Sequence, residues 1–82
     1  MSSNIMTLEQ IITELRTAKI NFIIDSDGET ILVEEGNVGA EIAVESNNQA
    51  SVYVTYDSEG EHFDDLGLFD NIHDIVHEIA TY

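Results

Sequence analysis

Carboxylates are the residues of this chain whose number and spacing point to chemistry. Asp70, Asp74 and Glu78 recur every four residues, a spacing that lines them along one helix face about 6 Å apart in axial rise. Each like-charge pair of this kind costs a helix roughly 0.2–0.5 kcal/mol, and Glu78 falls where the helix dipole disfavours an anion. A merely solubilising face would normally mix such acids with Lys. No Lys or Arg follows Lys19, so the line reads as a contact surface for positive charge. Glu34, Glu35, Glu41 and Glu45 lie in segments of strand character, and Asp57, Glu59, Glu61, Asp64 and Asp65 crowd a polar run. All are candidate contacts for the same partner. Tyr53, Tyr56, Phe63 and Tyr82 are candidate aromatic anchors among them, because aromatic side chains dominate interface energetics, with Tyr56 equally suited to the core.

Other chemistries find less support. His73 and His77 have the i, i+4 spacing of helical metal ligands, but they lack the adjoining Glu of zinc proteases and more simply flank an apolar stripe. Asp25-Ser26-Asp27-Gly28-Glu29 has the composition of a calcium loop. Its Gly is fourth rather than sixth, however, and Gly36 stands where a bidentate Glu is needed, so a hairpin turn is the better account. There is no Gly-x-Ser-x-Gly elbow and no phosphate loop, and two cations are too few to build an anion-stabilising site. No enzyme activity, metal or cofactor is expected.

The 82 residues carry 17 Asp and Glu against two Lys and Arg, a formal net charge of −15. Both cations, Arg16 and Lys19, sit beside Glu9 and Glu14, so residues 1 to 20 are neutral and residues 21 to 82 hold the entire net charge. Such one-sided charge repels nucleic acid and anionic membrane and attracts basic protein surfaces. A chain of this length treated as a sphere has a radius of gyration near 12 Å and a diameter of about 30 Å. Duplex DNA of that length carries about 18 charges, at one per about 1.7 Å, close to the 15 of this chain. With no Cys, no basic start and no long apolar run, neither a secretion signal nor a membrane span is expected, and a cytoplasmic protein is.

The pattern predicts one domain over residues 1 to 82. Thr7 and Gln10 form a capping-box pair, and Leu8, Ile11, Ile12, Leu15 and Ala18 recur at helical spacing, placing a helix over residues 8 to 18. Period-two alternation then marks four strands between Ile20 and Tyr56, with turns at Ser26 to Gly28, at Gly36-Asn37 and at Ser46 to Gln49. In the fourth strand Val52, Val54 and Tyr56 are expected on one face, with Ser51, Tyr53 and Thr55 on the other. Asp57 to Gly67 reads as a polar loop, and Phe69, Ile72, Ile75, Val76, Ile79 and Ala80 as the apolar stripe of a helix over 69 to 80. The expected fold is α+β: a four-stranded antiparallel sheet with an N-terminal and a C-terminal helix on one face.

In length, in this order of elements and in the acids spread from Asp25 to Glu78, the chain resembles the small phage-encoded anti-CRISPR proteins and other acidic DNA mimics. The resemblance implies inhibition by occupancy, with carboxylates pairing with Arg and Lys meant for phosphate. The implied partner is a basic nucleic-acid-binding protein of host defence, such as a CRISPR effector or restriction enzyme, met in the host cytoplasm. The alternative is an immunity protein or antitoxin that neutralises a nuclease toxin by the same physics.

Overall fold

The computed structural model describes residues 7–45 and 49–82. The chain runs α1 (Leu8–Thr17), β1 (Asn21–Ile24), β2 (Thr30–Glu35), β3 (Val38–Val44), β4 (Ala50–Asp57), β5 (Gly60–Phe69) and α2 (Ile72–Thr81). The α+β class and the antiparallel sheet are as expected. Among the described residues the strands number five rather than four, in the order β1-β2-β3-β4-β5 with every neighbouring pair antiparallel.

Local sequence explains the first helix. The Thr7 hydroxyl accepts the Gln10 N–H at 3.2 Å and the Gln10 side chain accepts the Thr7 N–H at 3.1 Å, which closes the capping box. At the other end Ile20 N–H reaches the Leu15 carbonyl and Lys19 N–H the Arg16 carbonyl, a Schellman exit. Lys19 takes the left-handed position (φ 62°) that Gly usually fills, and the buried Ile20 turns the chain into β1.

Two helices cover one face of the sheet. Ile11 and Leu15 from α1 and Ile75 and Ile79 from α2 pack on Ile31, Val33, Ala40, Ile42, Ala50 and Val52, all buried. In the turn after β1, the Asp27 carboxylate accepts the Glu29 and Thr30 N–H groups and the Thr30 hydroxyl. The first of these bonds is the main reason its pKa lies below the usual carboxylate value. That network is hairpin chemistry, as the sequence suggests. The turn expected at Ser46 to Gln49 lies outside the described residues over 46 to 48; Glu45 N–H meets the Gln49 carbonyl at 2.7 Å beside it.

Three expectations are corrected. The polar run from Asp57 to Gly67 is not a loop: from Gly60 onward it forms β5, whose pairing with β4 is interrupted by register shifts that break the period of two. The last helix begins later than residue 69. Phe69 is still in the sheet opposite Ala50, and Asn71 caps α2 by accepting the His73 N–H at 2.8 Å, so Asp70 precedes the helix and the helical acid line shrinks to Asp74 and Glu78. Tyr56 does not share a face with Val52 and Val54. A register shift between Gly39 and Ala40 places Tyr56 opposite Gly39 on the face away from the helices, where its hydroxyl donates to the Glu34 carboxylate at 3.4 Å.

Gly39 is required by that arrangement, because a Cβ there would overlap the Tyr56 ring. Gly39→Ala is expected to cost about 1–3 kcal/mol through overpacking. Most of that loss should vanish in a Tyr56→Ala background, giving a coupling energy readable from a double-mutant cycle of urea unfolding curves.

Candidate functional site

No described element covers the sheet face opposite the helices, and the registers fix its composition. One transverse row runs Ile23, Leu32, Glu41, Tyr53, Asp65, each residue directly opposite the next across neighbouring strands. Opposed residues stand about 4.5–5.5 Å apart at Cβ, so Glu41 and Asp65 flank Tyr53 with roughly 10 Å between them. Phe63 stacks on Tyr53 with ring centroids 4.9 Å apart and planes 25° from parallel. Phe63 is 69% exposed, Ile23 63% and Leu68 57%. Large apolar side chains so open on one face are what docking surfaces display.

Three of the carboxylates around this patch are held by hydrogen bonds. Glu34 accepts the Tyr56 hydroxyl, Glu45 accepts the Ser51 hydroxyl at 3.1 Å, and Asp65 accepts the Gly67 N–H at 2.8 Å where β5 bulges. Glu41 rises between the buried Ala40 and Ile42 and so points the other way, outward. Partial desolvation first, then the negative charge of Glu34 and its hydrogen bond, hold the Tyr56 phenol above its ordinary pKa. A cation arriving here meets acceptors already oriented, next to a stacked aromatic pair. Arg suits that combination better than Lys, because its guanidinium stacks on rings and pairs with carboxylates in one plane.

The candidate residues therefore divide. Glu34, Glu41, Glu45, Tyr53 and Asp65 come together on the open sheet face. Asp74 and Glu78 project from α2 on the other side of the molecule, with Asp70 just before its cap. Asp57 and Glu59 sit at the β4–β5 turn, where the Asp57 carboxylate accepts the Glu59 N–H at 2.8 Å. Glu61 pairs with Tyr56 near the same end, and Glu35 lies opposite Val38 at the β2–β3 turn. Asp64 is occupied on the helix side, accepting the Tyr82 hydroxyl at 2.8 Å. Phe63, one of the aromatic anchors that the sequence offers, joins Tyr53 here, although the bulged strand carrying it has no clear alternation to show which face it takes.

Tyr82 holds its proton strongly. Its bond to Asp64 first, then partial desolvation, then the charges of Asp64, Asp57 and Glu59 push its pKa up to about 12. A folded-state value above the unfolded one means that this contact stabilises the fold fully below pH ~10 and loses its contribution as pH rises toward 12. Ultraviolet titration of the phenols should resolve one midpoint near 12, and Asp64→Asn should move that midpoint down toward 10. A midpoint indifferent to Asp64→Asn would show that the bond does not hold the proton.

The molecule is longer than the sphere assumed from its length. Its radius of gyration is 12.2 Å, but its extents are 45 × 25 × 23 Å. Net charge is then spread at one per about 3 Å of the long axis, near the ~3.4 Å of a single nucleic-acid strand rather than the ~1.7 Å of a duplex. Among the described residues no helix is long and apolar enough to cross a membrane, and no three His, Asp or Glu side chains converge as a metal site. No family model, no curated protein and no solved structure matches this chain, so its functional reading rests on its own residues and their arrangement.

Proposed function

We propose that this chain is an acidic inhibitor that occupies the nucleic-acid-binding surface of a basic host-defence protein, of the anti-CRISPR or anti-restriction kind, with its open sheet face in contact. The observation that carries the reading is the row Glu41–Tyr53–Asp65, half-buried at its first two residues and exposed at Asp65, with the exposed Phe63 stacked on Tyr53, on a chain that has no Lys or Arg after Lys19. Acids alone would serve solubility; acids held by neighbouring donors around exposed aromatic rings suit a groove lined with Arg and Lys. Charge spacing close to that of one strand favours a partner surface that tracks a single strand or one backbone of a duplex. Asp74, Glu78, Asp70 and the β4–β5 turn acids add to the long-range field that speeds encounter.

The test is displacement. Fluorescently labelled DNA bound to purified CRISPR effectors or restriction enzymes should be released by this protein near equimolar ratio, and release should weaken as salt rises and the charges are screened. Release reproduced equally by polyglutamate of matched charge, or no release from any such enzyme, would overturn the proposal. Protection against a compact nuclease toxin domain, without effect on those enzymes, would assign the immunity-protein alternative instead.

A further inference from the structure

The two edges of the sheet are unlike. β5 carries Glu61, Asp64 and Asp65 and two register shifts, features that discourage strand addition. β1 is Asn21-Phe22-Ile23-Ile24, uncharged and in unbroken register with β2, and its far side pairs with no described strand. Ile23 is 63% and Ile24 40% exposed. An open cleft of about 650 Å³ follows this strand, lined by Arg16, Lys19 and residues 20 to 24. The chain's one Arg and one Lys thus border the one uncharged strand among the described residues, with Arg16 lying over the Phe22 ring at 5.9 Å.

We propose that β1 is a dimerisation edge, pairing antiparallel with β1 of a second copy about a two-fold axis at Ile23 and joining two sheets into one. The two-fold requires each residue to face a same-side partner. Ile23 then meets Ile23 of the second copy on the open face, and Phe22 meets Ile24 of the second copy on the helix face. The charges select a second copy over other occupants. Arg16 and Lys19 stand at the start of β1, and Asp25 and Asp27 follow its end. Antiparallel pairing brings each cationic end beside the other copy's acidic end, twice by symmetry. Elsewhere a chain of net charge −15 repels its own kind; here the flanking segment is neutral. A basic partner has no such reason to choose this edge. The dimer extends beyond the inhibitor reading and does not depend on it, since it needs no other protein.

The chain has no Cys, so Ile23→Cys introduces a single thiol. Opposed Cα atoms at about 4.5–5.5 Å lie within disulfide reach. Mild oxidation of this variant is expected to give covalent dimers, while Leu68→Cys, similarly exposed near the opposite edge, gives few. Light scattering of the unmodified protein at about 0.15 M ionic strength should show a mass rising from 9.1 kDa toward twice that with concentration. Ile23→Lys should hold it at 9.1 kDa with unchanged circular dichroism. Lys19→Glu should weaken dimerisation about tenfold, and adding Asp25→Lys should restore it. A mass of 9.1 kDa up to millimolar protein, a dimer that survives Ile23→Lys, or preferential cross-linking through Leu68→Cys would overturn the proposal.

Discussion

Replacing Glu41 and Asp65 together by Lys is expected to weaken binding to a basic nucleic-acid-binding partner by at least about 100-fold. Reversing a charge that pairs with a desolvated cation removes its acceptor and leaves like charges facing. Each such loss is worth about 2–5 kcal/mol, where 1.4 kcal/mol is tenfold in Kd. Asp74→Lys with Glu78→Lys changes net charge by the same amount on the far side of the molecule. That variant should slow association and alter Kd by less than about tenfold, because steering falls while contacts remain. The two double variants therefore separate contact from bulk charge, and titration calorimetry at fixed salt reads the difference. Equal losses from both would mean that only total charge matters and that the open face has no special role. Neither change should harm the fold, since each reduces self-repulsion, which thermal unfolding can verify.

Ile42→Ala should bring the domain close to unfolding. Ile42 lies on the central strand, fully buried, between Ile31 and Val52 and within the cluster that both helices cover. Removing three carbons from such a site costs about 2–5 kcal/mol, because the surroundings relax only partly into the cavity. Domains of this size hold roughly 0.05–0.15 kcal/mol per residue in total, and self-repulsion at a net charge of −15 draws on that margin. The expected fall in Tm is about 10–40 °C. Added salt should recover part of it by screening the carboxylates, and should raise the Tm of the unmodified protein for the same reason. Leu68→Ala, at a largely exposed position, should shift stability by less than about 0.5 kcal/mol. A small fall for Ile42→Ala would mean that the core is not centred on β3.

Legibility followed the strength of each local signal. The capping box at Thr7 and the stripe Leu8–Leu15 placed α1 to within a residue, because cap chemistry and a 3.6 period are both local. The buried positions Ala40, Ile42 and Val52 could be read from alternation, whereas Ile31-Leu32-Val33 is an unbroken apolar run whose faces are set by its register with β3. β5 could not, since Glu61, Asp64, Asp65 and two glycines have low strand preference and the bulges erase the alternation that would reveal it. The same cause misplaced Tyr56: one extra residue opposite Gly39 reverses every face assignment beyond it. The start of the last helix was misjudged because Phe69 continues the apolar spacing of α2 while belonging to the strand before it.

Composition alone determined that this protein meets its surroundings as a polyanion, because charge is counted without knowing where the chain goes. The order of the residues determined the α+β class and part of the core, because apolar periods of 3.6 and 2 can be satisfied only by burying one side of each element. Which acids act together was decided by the tertiary structure. Glu41, Tyr53 and Asp65 come from three strands and become neighbours only through register, whereas Asp74 and Glu78, adjacent on their helix, are carried to the far side by the packing of Ile75 and Ile79. Register depends on turns, bulges and the shared core, which are properties of the whole chain and of no single segment.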